Sequence, residues 1–182
     1  MNLQKLELEG AWKATLETHS DERGSFREWF KDSSFLKITG RNFSVSQANF
    51  SISKKDVLRG IHFSVAEEGQ GKWVTCLTGS IWDVIVDLRQ DSSTFKRWTG
   101  INLISEVPTC IFIPEGFGHG FVALEDNTTV AYLLTSEYSP TKEFEINPFD
   151  PELGISWHSK NLILSHKDRS APNLRNSKVI LG

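Results

Sequence analysis

The sequence has few of the features that mark secreted or membrane proteins. It holds only two cysteines, Cys76 and Cys110, which are too few for a disulfide framework and stand in apolar runs typical of buried free thiols. No window of about 18 consecutive residues is apolar, and the N-terminal MNLQKLELEG lacks the apolar core of a signal peptide. These absences predict a cytoplasmic protein that does not enter a membrane.

Charge of one sign is also scarce. The net charge is −3 and no long run of like charges occurs, which argues against nucleic-acid binding but leaves room for an anionic small molecule. Internal repeats, low-complexity tracts and long helical patterns are absent as well. With 182 residues, we expect a single domain over residues 1–182 that buries most of its apolar surface.

What the sequence does contain is a series of short strand-like segments, in several of which apolar and polar residues alternate. They are FSVSQANFSIS, VLRGIHFSV, WVTCLTG, SIWDVIVDLR, RWTGINLI, CIFIPEGFGHGFVAL and TTVAYLLTSEY. Short strands at regular spacing, separated by polar turns, predict an all-β sandwich or barrel. We also expect one or two strands before Glu17, a short helix in FREWFKDSSFLKI, and a strand followed by a charged turn in NLILSHKDRSAP.

One histidine, His62, stands in the most informative of these segments, VLRGIHFSVAEEGQGK. Strict alternation places His62 on one face of the strand and Arg59 on the other. Residues 60 and 64 are Gly60 and Ser64, so the H-x-H pair of many metal-binding β-barrels is missing and we predict no metal site. Because imidazole titrates near neutral pH, His62 is a candidate for proton transfer, with a hydrogen-bonded core histidine as the alternative.

Other candidate groups also have a structural alternative. Tyr132 could face His62 across a barrel, or it could be an ordinary core aromatic. Lys72 begins a strand, where a lysine is usually solvated, and Asp168 would ordinarily be a turn residue. Arginine and lysine side chains could together bind a diphosphate, and the candidates are Arg23, Arg59 and Lys167.

Seven stretches match, in the same order, those of one enzyme family. Between residues 21 and 172 they are DERGSFREWF, SQANFSISKKDVLRGIHF, GKWVTCLTGSIWDVIVDLRQDSSTF, IPEGFGHGFVAL, AYLLTSEYSPTKE, DPELGISW and LSHKDRSAP. The chain thus resembles the dTDP-4-dehydrorhamnose 3,5-epimerase family. The resemblance implies a cupin-like double-stranded β-helix, or jelly roll, that works as a homodimer without a metal or cofactor. It implies a nucleotide-linked 4-keto-6-deoxyhexose as the substrate.

The resemblance also implies a role for individual residues. His62 would remove the proton next to the keto group, with Asp168 orienting it. Tyr132 would return a proton on the opposite face, and Lys72 would stabilise the enolate. The implied contacts to the sugar, the diphosphate and the base, with Phe26 and Tyr138 as stacking candidates, are Arg23, Phe26, Glu28, Gln47, Asn49, Arg59, His119, Tyr138, Glu143 and Lys167. The segment with Arg23 and Glu28 would reach into the partner subunit's site.

Two features depart from the family pattern. Ser64 stands where the family commonly has glutamine, and VAEEGQGKW resembles the branch that makes unusual sugars more than the rhamnose-pathway enzymes. Inversion at C3 alone, at C5 alone or at both is therefore open. Two further hypotheses are a 3,4-ketoisomerase on the same scaffold and a cupin that binds a sugar nucleotide without catalysis.

Overall fold

The computed structural model describes residues 1–67 and 69–177, so Glu68 and the last five positions of the expected domain, 178–182, lie outside the described residues. The strands are β1 Asn2–Lys5, β2 Trp12–Thr15, β3 His19–Asp21, β4 Gly24–Phe26, β5 Gln47–Ser53, β6 Leu58–Ser64, β7 Lys72–Thr78, β8 Ser80–Asp87, β9 Trp98–Ile104, β10 Thr109–Ile113, β11 Phe117–Ala123, β12 Thr128–Leu134 and β13 Glu143–Glu145. The helices are α1 Asp32–Thr39 and α2 His166–Arg169, followed by a 3-10 turn at Leu174–Asn176. Neither α-helix is long and apolar enough to cross a membrane.

The strands form two main antiparallel sheets. One sheet has the order β1-β2-β10-β7-β12-β5, and the other has the order β13-β6-β11-β8-β9. From β5 to β13, each strand lies in the other sheet from the strand before it, except that β8 and β9 are neighbours in one sheet, so the chain crosses repeatedly between the sheets. Together with a separate β3–β4 hairpin, this arrangement is the predicted cupin-like jelly roll, and the all-β prediction is confirmed.

The core has three layers. The inner layer fills the space between the sheets, where Val74 and Val130 of the first sheet meet Ile85 and Phe121 of the second. On the outer side of the second sheet, residues of the C-terminal segment that follows β13, such as Trp157, pack against the strands. On the outer side of the first sheet, aromatic side chains of and around α1 pack against the strands. The central strands are therefore buried on both faces, which accounts for their long apolar runs.

The helix in FREWFKDSSFLKI and the strands before Glu17 are present, but the C-terminal prediction is wrong. In place of a strand, Ile163 makes one isolated parallel bridge with Val57, and α2 follows where we expected a turn. The Ser165 side chain caps this helix by accepting a hydrogen bond from the Asp168 backbone N–H. Local capping here overrides an apolar run that alternates only briefly. Strand β13 also had no predicted counterpart.

Candidate active site

A cavity of about 300 Å³ lies between strands of both sheets and the C-terminal segment. All four predicted catalytic residues line it: His62, Lys72, Tyr132 and Asp168. Five of the predicted binding residues line it as well: Asn49, Arg59, Tyr138, Glu143 and Lys167. Groups that are distant in sequence therefore meet in one concave site, the usual form of a small-molecule pocket.

His62 and Arg59 both face this cavity, which corrects the prediction that they lie on opposite faces of β6. Where β6 pairs with β11, His62 lies opposite His119 and Arg59 lies opposite Phe121. The two residues of each strand are three positions apart on β6 but only two apart on β11, so the register shifts by one residue between them. This β-bulge turns both side chains to the same side. Gly60 lies in the bulge with φ +122°, and a Cβ there would come within 2.5 Å of the Gly120 Cα, so no other residue fits.

The His62 imidazole is paired with a buried carboxylate. Its Nε2 lies 2.5 Å from Asp168 Oδ1, and Ser165 Oγ donates to the other carboxylate oxygen at 2.8 Å. Burial alone would raise the pKa of Asp168, but the hydrogen bonds and charge of His62, Ser165 and Lys167 hold it below the usual range. Since a carboxylate only accepts, Nε2 donates and the other ring nitrogen is unprotonated in the neutral imidazole. The carboxylate therefore determines which ring nitrogen is left free to accept a proton.

Lys72 is buried, with 7% of its surface exposed, so the solvated alternative is wrong. It begins β7, but the facing sheet and β13 cover it, and the sequence of β7 alone does not show this. Its Nζ donates to the His62 carbonyl oxygen at 3.5 Å. Burial lowers the pKa of Lys72 to about 8, although the nearby charges of Glu143 and Asp83 act to raise it.

Tyr132 lies on β12 in the six-stranded sheet, whereas His62 lies on β6 in the five-stranded sheet. Both side chains line the same cavity, so the predicted placement on facing strands is what the structure has. Tyr132 also packs against the inner core layer. A molecule in the cavity would thus have an imidazole from one sheet and a phenol from the other.

Cationic groups also line the cavity. Arg59 Nε donates to Ser53 Oγ at 3.1 Å, and Lys167 Nζ lies 2.9 Å from Glu145 Oε2. This ion pair raises the pKa of Lys167. The arginine fork and the lysine ammonium are both groups that bind phosphate oxygens, and both line this cavity.

The structure does not bring the other predicted residues into the cavity lining. Arg23 and Phe26 lie on the β3–β4 hairpin, beside a separate cleft of about 230 Å³. Glu28 is exposed and lies 3.6 Å from Lys31. Gln47 stands behind the lining, where its side-chain amide donates to Asn49 Oδ1 and accepts from the Tyr138 N–H.

His119 is also outside the cavity lining. It is buried directly opposite His62, and its Nε2 lies 2.7 Å from Asp83 Oδ1. The second oxygen of Asp83 is buried without a hydrogen-bond partner among the residues the structure describes. His119 and Asp83 thus form a second histidine–carboxylate pair behind the first.

Four cavity residues were not predicted: Gln70, Leu134, Phe144 and Ser165. Ser165 precedes Asp168 by three residues, a spacing typical of a helix cap that would have pointed to this serine. Gln70 has glycine on both sides, which indicates a tight turn but no function. Among residues 1–67 and 69–177, no group of three or more His, Cys, Asp or Glu side chains is placed to hold a metal ion.

The fold and the site define a class of protein. A histidine–carboxylate pair, a phenol on the facing sheet and a buried ammonium group can move a proton on and off a carbon next to a carbonyl. A jelly roll with these groups beside cations suited to a diphosphate is an isomerase scaffold for nucleotide-linked sugars.

Comparison with known proteins identifies the family. The model of the family described as dTDP-4-dehydrorhamnose 3,5-epimerase matches residues 5–176. A protein of that name from Mycolicibacterium smegmatis is 41% identical over 98% of this chain and 89% of its own length. A dTDP-4-dehydrorhamnose 3-epimerase from Streptomyces niveus is 41% identical over 94% and 83%. A solved Mycobacterium tuberculosis epimerase has a TM-score of 0.93 at 41% identity and covers 96% of this chain and 89% of that one.

The chain therefore belongs to the dTDP-4-dehydrorhamnose 3,5-epimerase family, and it is an isomerase of the epimerase type.

Proposed function

We propose that this chain epimerises a dTDP-4-keto-6-deoxyhexose at the carbons that flank its C4 keto group. The observation that carries the proposal is that His62 and Tyr132 line one cavity from two facing sheets. Inversion of a carbon centre requires removal of a proton from one face and its return on the other. Two proton-transfer groups on opposite walls meet this requirement, and the names of the relatives supply the substrate class.

His62 acts as the base. Its unprotonated ring nitrogen takes the proton from the carbon next to the keto group, and the electron pair of the C–H bond moves into the enolate. Asp168 supports the positive charge that then develops on the imidazole, since it lies 2.5 Å away and is held by Ser165.

Lys72 stabilises the enolate oxygen. A proton next to a ketone is too weakly acidic for histidine unless the developing negative charge meets a preorganised positive group. A buried ammonium group is desolvated before the reaction begins, so its interaction with the enolate is stronger than in water. The role requires Lys72 to be protonated, which its pKa of about 8 permits at neutral pH.

Tyr132 acts as the acid. Its phenol returns a proton to the face opposite His62, which sets the inverted configuration and leaves a phenolate. Solvent then reprotonates the phenolate and takes the proton from His62, so the enzyme returns to its starting state with no cofactor consumed.

The nucleotide is held by the polar wall of the cavity. Arg59 and Lys167 bind the diphosphate, Asn49 and Glu143 contact the sugar and the nucleoside, and Tyr138 stacks on the base. Gln47 supports these contacts from behind the lining, through its hydrogen bonds to Asn49 and Tyr138. We assign His119, which lies behind His62, to supporting the part of the cavity wall that faces the keto sugar. The location of five of these residues in one lining supports the assignment; they are Asn49, Arg59, Tyr138, Glu143 and Lys167.

We also propose that the chain acts as a homodimer with shared sites. β5 is the free edge of the six-stranded sheet, and its Phe50 is 70% exposed beside an apolar groove of about 430 Å³. An unpaired edge next to exposed apolar surface is suited to pairing with a second copy. All six residues of strands β3 and β4 are exposed, as a segment that contacts a partner would be. Arg23, Phe26 and Glu28 would then bind substrate in the partner subunit's cavity.

We place the chain in the cytoplasm as one domain that binds neither nucleic acid nor membrane. The two free, buried cysteines are compatible with a reducing compartment, and the net charge of −3 does not favour polyanions.

Deuterium exchange from solvent tests the reaction. The purified chain is incubated in D₂O with dTDP-4-keto-6-deoxyglucose, and the label at C3 and C5 is measured by NMR together with the configuration of the product. We expect label and inversion at both carbons. Label at C3 alone would identify a 3-epimerase, a 3-keto product would identify a ketoisomerase, and an absence of label in folded protein would overturn the proposal.

A further inference from the structure

A buried glutamine in the cavity wall has no part in the roles assigned above. Gln70 is 6% exposed and lines the same cavity as Lys72 and Glu143. Its Nε2 lies 3.2 Å from Glu143 Oε1 and 3.3 Å from Ser136 Oγ. Since a carboxylate only accepts, the amide nitrogen is the atom that must face Glu143, and the orientation of the amide is therefore determined.

The backbone on both sides of Gln70 is held in place. Gly69 has φ +73°, and a Cβ there would come within 2.5 Å of the Glu115 side chain. On the other side, the Gly71 N–H donates to Thr135 Oγ1 at 2.7 Å, and the Thr135 N–H donates to the Gly71 oxygen at 3.1 Å. A side chain between two anchored residues has little freedom to turn away from the cavity. The loop thus presents one amide group to Glu143.

We propose that Gln70 is a positioning residue that holds the Glu143 carboxylate toward Lys72. Glu143 acts on Lys72 through its charge, and a carboxylate that is free to swing into solvent would support the ammonium group less well. By holding Glu143, Gln70 keeps Lys72 protonated in the range where the enolate must be stabilised. This inference rests on the proposed function, because it requires Lys72 to act as a cation.

Charged and titratable groups reach the site of Lys72 from several elements. Glu143 and Asp83 both act to raise the pKa of Lys72, against the larger effect of burial. Besides Asp83 on β8, the groups that share the cavity lining with Lys72 are Glu143 on β13, Arg59 and His62 on β6, Tyr132 on β12, Lys167 and Asp168 on α2, and Tyr138 after β12. Of the two carboxylates, only Glu143 has Gln70 as a hydrogen-bond donor.

The test is the pH dependence of deuterium exchange in Gln70→Met. Methionine has a similar length but no donor, so Glu143 loses its anchor. We expect a loss in kcat on the order of tenfold, with little change in KM. We also expect the descending limb of the pH–rate profile to move to lower pH. Gln4→Met, at an exposed glutamine on β1, should retain the wild-type profile.

Glu143→Gln distinguishes positioning from a general loss of structure. It should shift the descending limb in the same direction, and the double variant Gln70→Met/Glu143→Gln should shift it no further, because the amide acts only through the carboxylate. Ser136→Ala, which removes the second contact of the amide, should give a smaller shift in the same direction and keeps the test available if Gln70→Met fails to fold.

These measurements distinguish a failure of the proposed function from a failure of the role proposed for Gln70. Wild-type protein that exchanges no deuterium would overturn the proposed function itself. Wild-type exchange with an unshifted profile in Gln70→Met, or shifts that add in the double variant, would overturn only the role of Gln70.

Discussion

His62 and His119 lie directly opposite each other on β6 and β11, yet each is bound to a different carboxylate. Asp168 holds His62 from the C-terminal helix, and Asp83 holds His119 from β8. The His62 side chain is 42% exposed, whereas His119 is buried. Only His62 lines the cavity, so the two pairs have different access to a substrate although they are neighbours in the sheet.

His62→Ala is expected to abolish exchange at C3 and at C5. Histidine is the only base we assign to both carbons, and general-base catalysis contributes about 10²–10⁴-fold. The measurement is deuterium uptake by NMR, which detects proton removal without requiring inversion. Residual exchange at one carbon only would show that a second base acts there.

His158→Ala is the matched control for this change. His158 stacks on Trp82 at 4.1 Å between ring centroids and does not line the cavity. Its removal should leave the exchange rates at wild-type values. If both variants lost exchange to the same extent, the effect of His62→Ala could not be assigned to proton transfer.

Tyr132→Phe should separate proton removal from proton return. The ring and its packing against the inner core are retained, but the phenolic proton is lost. We expect exchange to continue, because His62 and Lys72 still form the enolate, while net inversion falls about tenfold or more. Comparing label with product configuration in one NMR sample checks this. Complete loss of exchange would assign Tyr132 to the first step instead.

Much of the fold could be predicted from short apolar segments, some of them alternating, that are bounded by polar turns. Segments such as WVTCLTG and TTVAYLLTSEY became β7 and β12, because short apolar runs between turn residues are typical of buried strands. The C-terminal prediction failed because Ile163 makes only one bridge and Ser165 caps a helix within the same short stretch. Competition between a brief apolar run and a side-chain cap is not decided by the pattern alone.

The site was less accessible to reasoning from the residues. Arg59 and His62 share a face because of a bulge, and a bulge depends on the partner strand β11. Lys72 is buried by elements that come later in the chain. The His62–Asp168 contact joins residues 106 positions apart, which no local spacing reveals. The family resemblance predicted that these groups act together, and the fold supplies the physical reason.

Lys72→Met should stabilise the fold while removing activity. Burial lowers the pKa of Lys72 from 10.5 to about 8, so below pH 8 the folded state holds a charge that it disfavours. Between pH 8 and 10.5 the unfolded chain binds more protons than the folded chain, so this residue makes the free energy of unfolding rise with pH. The total rise is roughly 3 kcal/mol.

Urea denaturation at pH 7 and at pH 10 measures most of this rise, and the difference between wild type and Lys72→Met isolates it from other titrating groups. We expect the variant to lack the rise. Lys5→Met, at an exposed lysine on β1, should keep the wild-type dependence. Equal pH dependence in wild type and Lys72→Met would show that Lys72 is not desolvated in solution.

Mixed dimers test whether the hairpin completes the partner's site. Arg23→Ala and His62→Ala are each expected to be inactive, because one lacks a binding group and the other lacks the base. In a mixed dimer, one cavity would combine the intact His62 of one subunit with the intact Arg23 of the other. Random mixing makes half of all dimers mixed, so about a quarter of the sites should be active again.

The readout is deuterium exchange after the two variants are unfolded together and refolded, compared with each variant treated alone. Recovery near a quarter of wild-type activity requires both a dimer and a site that crosses it. If Arg23 served its own subunit, each cavity in the mixture would still lack one group and no activity would return. Phe50→Asp, which puts a charge on the free edge strand, should abolish the recovery, because it separates the subunits.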